Sequence, residues 1–491
     1  MSGLPKGWAI KKLDKCTTIT MGQSPKGIYV NSEGEGIPFY QGKSEFGKLY
    51  PTPKKYCTEP SKLAIQDDIL LSVRAPVGPT NLCPETSCIG RGLASIRALE
   101  LMSQMYFLHY MRYLQPWLSE QGTGTTFKAI SGAFLKDIEV IVAPLNEQIR
   151  IADKLDSILA KVDKAQARLD KIPAILKRFR QSVLAAATSG ELTKEWREAH
   201  LGLCIDRDKI RIERDRLFKL KNKAAKEAIS MSSAMTEELY ELPDSWEWFR
   251  AEEFSDLITK GTTPKKDKMD SSFNVPYIKV YNLTFDGSLD FSIEPTFVEQ
   301  STHDNELKRS IVYPGDVLMN IVGPPLGKVS IVPNSYSEWN MNQAIAVFRP
   351  VASVNNRYLS ICLQASRLLD VVKLRAKATA GQFNLTLEIC RDYPIPLAPA
   401  QEQSEIVRHV DRLLRKAKKV EKQHLDAKDR LDRLTQSILA KAFRGELVPQ
   451  DPNDEPAEKL LERILAEKEQ SKAKKTTRKR TTKAKTTEYE E

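Results

Sequence analysis

The stretch QSVLAAATSGEL at residues 181–192 has a close copy, QSILAKAFRGEL, at residues 436–447. When the comparison is extended, residues 144–192 align with residues 399–447 without a gap, from the starts PLNEQ and PAQEQ to the two GEL endings. A match of this length between distant parts of one chain indicates an internal repeat. The sequence therefore predicts a helical block that occurs twice.

A weaker likeness precedes each helical block. LPKGW at residues 4–8 corresponds to LPDSW at residues 242–246, and DILLSVRAPVG at residues 68–78 resembles DVLMNIVGPPLG at residues 316–327. The separation between corresponding residues grows along the chain, which indicates insertions in the second copy. The order is therefore domain, helical block, domain, helical block, and the two domains have diverged more than the blocks.

Both blocks carry hydrophobic residues at alternating spacings of four and three, the pattern of a coiled-coil seam. We therefore predict that the two helices pair with each other. An alternative is that each helix packs on the sheet of its own domain, which also requires a hydrophobic stripe. The predicted seam residues are Ile151, Leu155, Ile158, Val162, Leu169, Ile406, Val410, Leu413 and Val420.

Signals for the helix ends accompany this pattern. Asn146 is suited to cap the start of the first helix, and Gly190 and Gly445 are suited to end the two blocks in a left-handed conformation. Pro173 falls after the first seam, where proline costs about 3 kcal/mol inside a helix. We therefore predict a kink or a break at that point.

The domains have short runs of Val, Ile, Leu and Tyr separated by Gly, Pro, Asn and Asp, a pattern typical of β-rich domains with long loops. The predicted fold class is α/β (α+β): two β-rich domains separated by two long helices that pair as an antiparallel coiled coil, in a pseudo-two-fold tandem repeat. The predicted boundaries are 1–143 for the first domain, 144–197 for the central helical block, 198–240 for a charged helical connector, 241–398 for the second domain, 399–447 for the distal helical block and 448–491 for a basic disordered tail.

The composition is that of an ordinary soluble protein of 491 residues, 41% hydrophobic and 28% charged. No hydrophobic run reaches the ~18–20 residues of a membrane helix, and the start of the chain lacks the hydrophobic core of a signal peptide. The seven cysteines are scattered, which favours free thiols. These features predict a cytoplasmic protein.

The net charge of +11 is only weak evidence for a nucleic-acid partner. Much of it lies in SKAKKTTRKRTTKAKTT at residues 471–487, a segment without acidic residues. Such a segment serves either as a phosphate-binding arm or as a solubilising tail.

The sequence lacks the usual motifs of catalysis. GPPLGKV at residues 323–329 has too few residues between its glycines for a P-loop, and it has valine where Ser or Thr would hold magnesium. Neither an N/D-P-P-Y/F methylation motif nor a glycine-rich loop for S-adenosylmethionine is present, and the five histidines are scattered. We therefore predict no catalytic residue, metal or cofactor on this chain.

The remaining feature is a pair of similar domains joined by a rod. At 1.5 Å per residue, a helix over residues 145–172 is roughly 42 Å long. One turn of B-DNA measures ~34–36 Å, so this arrangement suits the reading of a two-part target.

The block starts PLNEQ and PAQEQ, the endings KRFRQSVLAAATSGELTKEWR and LTQSILAKAFRGEL, and the tandem plan resemble the specificity (S) subunit of type I restriction-modification enzymes. The resemblance extends from residue 4 to about residue 450, and it is specific in the blocks and loose in the domains. It implies that the domains are target recognition domains, each reading one half of an asymmetric bipartite site in double-stranded DNA, while the coiled coil sets the unread spacer.

The resemblance also implies that the chain is non-catalytic and recruits other subunits. These are two modification (methyltransferase) subunits, which support adenine methylation, and restriction (translocase/nuclease) subunits. S-adenosylmethionine, ATP and Mg are then expected on those partners. Two alternatives are a coiled-coil scaffold whose repeated domains bind protein or carbohydrate, and an enzyme with an unrecognised fold.

Loops of both domains contain side chains able to bond base edges or phosphates. Gln and Asn pair with adenine, and Arg and Lys pair with guanine. The predicted DNA-binding residues are Gln23, Lys26, Tyr40, Gln41, Lys43, Arg74, Arg91, Thr263, Lys265, Lys279, Tyr281, Asn282, Asn320, Lys328, Gln382 and Asn384.

Overall fold

The computed structural model describes residues 3–122, 129–220, 239–379, 382–464 and 466. The chain forms two compact units: unit 1 comprises residues 1–170 and 425–491, and unit 2 comprises residues 171–424. Each unit therefore combines one sheet domain with parts of both helical blocks. This division differs from the predicted boundaries, which kept each helical block intact.

Unit 1 is built on short strands that form two larger sheets. The strand orders are β2-β10-β7-β8 and β3-β5-β4-β9-β6, and β1 pairs with β11. The strands are β1 (Ala9–Lys12), β2 (Thr17–Met21), β3 (Val30–Asn31), β4 (Ile37–Tyr40), β5 (Tyr56–Cys57), β6 (Leu63–Ala64), β7 (Ile69–Ser72), β8 (Thr80–Leu82), β9 (Ser87–Ile89), β10 (Leu93–Ala98) and β11 (Glu139–Val142). The helices are α1 (Leu13–Cys16), α2 (Gln104–Gln121), α3 (Gly132–Asp137) and α4 (Leu145–Leu169).

Unit 2 repeats this plan, since its sheet β13-β20-β17-β18 has the same strand order as β2-β10-β7-β8. A second sheet has the order β14-β16-β15-β19, and β12-β23 and β21-β22 are pairs. The strands are β12 (Glu247–Arg250), β13 (Ser255–Lys260), β14 (Met269–Asp270), β15 (Val275–Ile278), β16 (Phe297–Val298), β17 (Val317–Asn320), β18 (Val329–Ile331), β19 (Asn340–Met341), β20 (Ile345–Pro350), β21 (Lys377–Thr379), β22 (Gln382–Asn384) and β23 (Pro394–Leu397). The helices are α5 (Ile172–Thr188), α6 (Lys194–Glu198), α7 (Arg207–Leu220), α8 (Gln300–Asp304), α9 (Asn356–Gln364), α10 (Ser366–Arg375), α11 (Leu387–Arg391) and α12 (Ala400–Phe443), of which α12 extends into unit 1.

An ion pair at the same place in both main sheets shows how closely the domains correspond. Asp68, buried at the start of β7, accepts a hydrogen bond from Arg97 Nε on β10 (2.6 Å). Asp316, at the start of β17, accepts one from Arg349 Nε on β20 (2.8 Å). The tandem repeat predicted from the sequence is therefore a repeat of fold, and this ion pair is retained in both copies.

In unit 1, α4 packs antiparallel to the last part of α12. Ile151 shares a hydrophobic cluster with Leu439 and Phe443 of α12. Arg150, near the start of α4, forms an ion pair (2.7 Å) with Asp454, which follows the end of α12. The predicted seam residues of α4 are buried at Ile151 and Leu155 and half-buried at Ile158, Val162 and Leu169.

The buried turns of α4 also contact their own domain. Tyr106 and Leu108 of α2 belong to the same hydrophobic cluster as Ile151. His109 of α2 is bonded through Nε2 to Asp156 of α4 (2.9 Å). The helix thus pairs with another helix and also packs on its own domain, where its neighbour is helix α2 rather than the sheet named in the alternative.

In unit 2, α5 packs antiparallel to the first part of α12. Leu184 shares a cluster with Ile406 and Val410, both fully buried, and Leu413 packs against that cluster. Arg180 donates to Glu421 (2.6 Å) across the helix pair. The prediction of paired long helices is therefore confirmed within each unit.

Val420 is an error in the predicted seam, since 43% of it is exposed. A straight α-helix drifts about 20° per heptad relative to a strict seven-residue repeat. From Ile406 to Val420 this drift turns the stripe away from the partner helix. Ala417 and His424, which the same 4-3 spacing also places on the seam, are buried, so the row that contains Val410 continues the contact.

The predicted helix ends are largely correct. α4 ends at Leu169 and α5 begins at Ile172, so the break expected at Pro173 is confirmed. Gly190 and Gly445 have φ of 79° and 76°, the left-handed conformation expected of them. The capping role of Asn146 is wrong: α4 has no side-chain cap, and the Asn146 amide donates to Asp454 (3.1 Å).

An indole–carboxylate bond joins each sheet domain to a helical block. In unit 1, Trp8 Nε1 donates to Glu147 on α4 (2.9 Å). In unit 2, Trp246 Nε1 donates to Glu402 on α12 (2.8 Å). The tryptophans come from the LPKGW and LPDSW motifs and the glutamates from PLNEQ and PAQEQ, so the motifs that open each domain and each block contact each other.

The segments after the two blocks are packed: the described part of the charged connector contains a helix, as predicted, whereas the prediction of a disordered tail is wrong for residues 457–464. In unit 2 the Ile205 N–H donates to the Ser245 carbonyl (3.1 Å), and α7 follows with Ile210 buried. In unit 1 the Ala457 N–H donates to the Gly7 carbonyl (2.8 Å), and the helical residues 457–464 are packed in the same way. The first parts of the predicted connector and of the predicted tail therefore belong to folded units. Residues 221–238 and 467–491 lie outside the described chain.

Candidate nucleic-acid interface

Four chain segments of unit 1 meet beside the ends of its strands and form a surface that we call platform 1. Its segments are residues 22–26, 41–43, 73–74 and 90–92. The Gly90 N–H donates to the Tyr40 carbonyl (2.8 Å), and the Val73 N–H donates to the Gly92 carbonyl (2.9 Å). Because backbone bonds join the segments, the backbone positions from which their exposed side chains extend are fixed relative to one another.

Gly22, which follows β2 and begins platform 1, lies directly against the segment that contains Gly90. Its N–H donates to the Leu93 carbonyl, and the Gln23 N–H donates to the Ile89 carbonyl, both at 2.9 Å. A Cβ atom on Gly22 would lie 2.3 Å from the Gly90 carbonyl oxygen, a contact that no side chain permits. The glycine of the GQSPK motif is thus required by backbone packing.

Platform 1 presents a basic, amide-rich surface. Among the residues that the structure describes, none of its seven exposed polar side chains, Ser24 and the six named below, has a hydrogen bond or an ion pair. Such side chains can donate to phosphates and to base edges. Six of the seven residues predicted in this domain therefore lie together, and they are Gln23, Lys26, Gln41, Lys43, Arg74 and Arg91.

Unit 2 builds the same surface, platform 2, from residues 261–265, 278–279, 321–322 and 342–344. The Asn342 N–H donates to the Ile278 carbonyl (3.0 Å), and the Ile321 N–H donates to the Ala344 carbonyl (2.9 Å). These bonds correspond one for one to those of platform 1. A Cβ atom on Gly261 would lie 2.1 Å from the Asn342 carbonyl oxygen, so the glycine requirement is repeated as well.

Platform 2 presents a different set of side chains. Thr263, Lys265 and Gln343 are exposed and Lys279 is half-buried. Sequence reasoning missed Gln343, which occupies the place of Arg91. Aligning GRGLASIRA at residues 90–98 with NQAIAVFRP at residues 342–350 would have found it, because the two strand arginines coincide in that alignment.

Three predicted DNA-binding residues are buried, so that prediction is wrong for them. Tyr40 is part of the core, and burial raises the pKa of its hydroxyl to about 12. Asn282 accepts a hydrogen bond from the Lys279 N–H (2.9 Å), which closes a turn. Asn320 accepts one from the Lys328 N–H (2.8 Å) and thereby ties the ends of a hairpin loop. The two asparagines can be buried because backbone groups satisfy their amides.

Two further predicted residues lie beside platform 2 and are partly engaged. The Tyr281 hydroxyl donates to the Glu294 carbonyl (3.1 Å), and the Lys279 ammonium lies 5.8 Å from the Tyr281 ring centre. The Lys328 ammonium lies 5.9 Å from the ring centre of Phe285. These side chains therefore shape the loops that border the platform.

The last two predicted residues belong to β22. Asn384 is exposed, and it pairs through a backbone bridge with Val322 of platform 2. Gln382 begins the same strand, and its side chain lies outside the described part of the chain. The sequence prediction thus identified one more segment that borders platform 2.

Comparison with known proteins accounts for this duplicated arrangement. The family model described as "Type I restriction modification DNA specificity domain" matches residues 5–174 and 243–427. The chain belongs to this family. The two matched regions contain platform 1 and platform 2 respectively, and each begins at the tryptophan motif of its unit.

Curated relatives and solved structures agree. The EcoBI specificity subunit of Escherichia coli is 30% identical over 493 residues, covering 96% of this chain and 94% of that protein. The EcoDI specificity subunit of Escherichia coli is 31% identical over 369 residues, covering 73% and 76% of the two chains. A chain from a study of type I restriction-modification complex assembly has a TM-score of 0.61 at 18% identity, covering 91% of this chain and 100% of that one, which shows a shared fold.

Family membership decides between the alternatives left open by the sequence. The relatives are named as specificity subunits, so the prediction of a specificity chain rather than a catalytic one is confirmed, and the scaffold alternative has no support. Within the described ranges, no cluster of His, Cys, Asp or Glu is arranged to hold a metal ion. No described helix is both long enough and apolar enough to span a membrane.

Proposed function

We propose that this chain reads one asymmetric, bipartite DNA site, and that platform 1 and platform 2 each contact one half of it. The observation that carries this proposal is the construction of the platforms. The same backbone bonds fix both, yet the exposed side chains differ at most positions. A shared frame with different side chains is what two different half-sites require.

The paired helices are proposed to set the unread spacer between the half-sites. The chain passes between units at Asp170–Lys171 and at His424–Leu425. Inserting four residues inside α4 near Lys161, and four inside α12 near Lys416, would add about one helical turn, or ~6 Å, which is nearly two base pairs of DNA. The preferred spacer should lengthen accordingly while both half-sites stay the same. An unchanged spacer would contradict the proposal that the paired helices set its length.

The chain is further proposed to recruit two modification (methyltransferase) subunits together with restriction (translocase/nuclease) subunits. The helical blocks offer equivalent apolar positions for two copies of one partner: Phe179 in unit 2 is 37% exposed, and Leu434 in unit 1 is 48% exposed. Exposed hydrophobic side chains at matching positions suit a repeated protein contact. Aspartate at both positions should weaken partner binding, whereas aspartate at one should remove one partner copy.

The chemistry is proposed to reside on these partners, in the cytoplasm. S-adenosylmethionine, ATP and Mg would be bound by the modification and restriction subunits, and this chain would supply only the choice of sequence. The purified chain alone should neither methylate nor cut DNA. Removing residues 471–491 should lower the salt dependence of binding without changing the sequence chosen, because that segment would contact only phosphates.

Selection from a randomised duplex library tests the central proposal. The complex of this chain with its modification partner should enrich one bipartite sequence. Replacing residues 9–142 with the same region of another family member retains the Trp8–Glu147 bond, and it should change one half-site only. If both halves changed, or neither did, independent reading by the two domains would be refuted.

A further inference from the structure

One position in each platform combines a fixed backbone with an unengaged side chain. Arg91 is preceded by Gly90, whose N–H donates to the Tyr40 carbonyl (2.8 Å), and followed by Gly92, whose carbonyl accepts from Val73 (2.9 Å). The backbone of Arg91 is therefore held from both sides. Its side chain is exposed and, within the described chain, has no hydrogen bond or ion pair.

Gln343 is held in the same way in unit 2. The residue before it, Asn342, donates to the Ile278 carbonyl (3.0 Å), and the residue after it, Ala344, accepts from Ile321 (2.9 Å). The Gln343 side chain is exposed, and it too lacks a hydrogen-bond partner among the residues described. The two positions are thus held by the same pair of backbone bonds, and they present different side chains.

The two side chains suit different bases. A guanidinium can donate two hydrogen bonds to guanine O6 and N7, whereas a primary amide can accept from N6 and donate to N7 of adenine. Because the backbone that carries such a group is already fixed, less conformational entropy is lost when the group is ordered on DNA binding. Arg91 and Gln343 therefore have both the chemistry and the support of base-reading groups.

Another pair of equivalent residues provides the contrast. Lys26 and Lys265 each follow a proline and precede a short turn of 3₁₀ helix, and both are exposed. Because both platforms carry lysine at this position, it does not account for a difference between the two half-sites. A lone ammonium with no fixed partner suits phosphate contact, which positions DNA without reading it.

We propose that Arg91 and Gln343 are equivalent specificity-determining residues, and that Arg91 reads a guanine in one half-site while Gln343 reads an adenine in the other. This inference rests on the proposed function. For one position in each half-site, it names the base that is read and the residue that reads it. Lys26 and Lys265 serve as matched phosphate contacts.

The test uses the complex of the full chain with its modification partner and a randomised duplex library. R91Q should change guanine to adenine at one position of one half-site, with discrimination between the two bases shifting by about tenfold or more, and leave the other half unchanged. Q343R should do the converse in the other half-site. R91K is the conservative control, and it should retain the preference for guanine.

K26Q and K265Q are the matched controls for phosphate contact. Each should weaken binding to all sequences to the same extent, without altering the sequence selected, and lower the salt slope by about one. If R91Q or Q343R behaved like these variants, or selected the wild-type sequence at wild-type affinity, the base-reading inference would be overturned. If the wild-type complex enriched no bipartite sequence, the proposed function itself would fail, which separates the two outcomes.

Discussion

Glu147 and Glu402 occupy equivalent positions at the contact between a sheet domain and a helical block, which we call the joint, but their surroundings differ. Both accept a hydrogen bond from a tryptophan indole. Glu402 also accepts from Thr193 (2.8 Å) and from Arg197 (2.6 Å), so both of its oxygens are bonded. Glu147 Oε1 is buried and has no partner among the described residues, and burial raises the pKa of this carboxyl group.

The difference follows from the segment after each GEL ending. If the gapless alignment is continued past the blocks, Val448 and Pro452 stand where Thr193 and Arg197 stand in unit 2. In unit 1 an ion pair between Arg150 and Asp454 (2.7 Å) instead holds the segment after α12 against α4. The indole–carboxylate bond is thus the constant part of the joint, and each unit supplies the remaining contacts from a different sequence.

The largest expected effect comes from the segments after the two blocks. Leu460 and Ile210 are buried in unit 1 and unit 2, so Leu460→Ala and Ile210→Ala should each cost about 2–5 kcal/mol of unfolding free energy. Hydrogen exchange followed by mass spectrometry should show faster exchange in the mutated unit. Leu201→Ala is the control, since Leu201 is 86% exposed and its loss should have no effect. Unchanged exchange in Leu460→Ala would contradict a packed role for residues 457–464.

Replacing the two glutamates by glutamine tests the joint directly. Glu402→Gln removes the charge that Arg197 pairs with, and it should cost about 2–3 kcal/mol in urea unfolding. Glu147→Gln should change stability by less than about 1 kcal/mol, because that carboxylate has no cationic partner at Oε1. Equal costs for the two variants would mean that the additional bonds of unit 2 contribute nothing.

The pKa of Glu147 predicts a pH dependence for the same pair of variants. A carboxyl whose pKa is higher in the folded state than in the unfolded state binds more protons when folded, so its contribution to stability improves as pH falls toward the folded pKa. If Glu147→Gln has a higher free energy of unfolding than the wild type at pH 7, the difference should therefore be smaller at pH 5. Unfolding by urea at both pH values measures it, and a constant difference would contradict the raised pKa.

The smallest effect is expected where the helical blocks carry opposite charges at equivalent positions. In unit 1, Asp163 pairs with Lys48 of the sheet domain (2.7 Å), whereas in unit 2 Lys418 pairs with Asp286 (3.7 Å). Asp163→Lys and Lys418→Asp should each cost about 0.2–1 kcal/mol, since exposed ion pairs contribute little. The double variant Lys48→Asp with Asp163→Lys should restore stability; a further loss there would show that the charges do not interact.

The repeat, the paired helices and their ends could be predicted from the sequence because their signals are local. A heptad pattern, a proline and a terminal glycine each determine the structure of nearby residues. Val420 shows the limit of such reasoning, since the rotation of a stripe depends on where the partner helix lies.

The site could be predicted only in part. Exposed residues such as Gln41 and Arg74 were identified by their chemistry alone. Asn282 and Asn320 have the same chemistry, yet they bond to backbone groups that only the folded loop brings near. Gln343 was missed because the domains were not aligned around the two strand arginines, which place it opposite Arg91. Burial and long-range pairing, rather than residue type, therefore separate the true candidates from the others.

The composition of unit 1 from both ends of the chain has a consequence for synthesis. Unit 2, residues 171–424, is continuous, so all of it can leave the ribosome before the chain is finished. The first sheet domain is made earliest, but α4 lacks its partner helix and Gly7 lacks Ala457 until the last part of the chain emerges. The first sheet domain is therefore completed only after unit 2 has been made, and until then it exposes the apolar surface that α12 and residues 457–464 later cover.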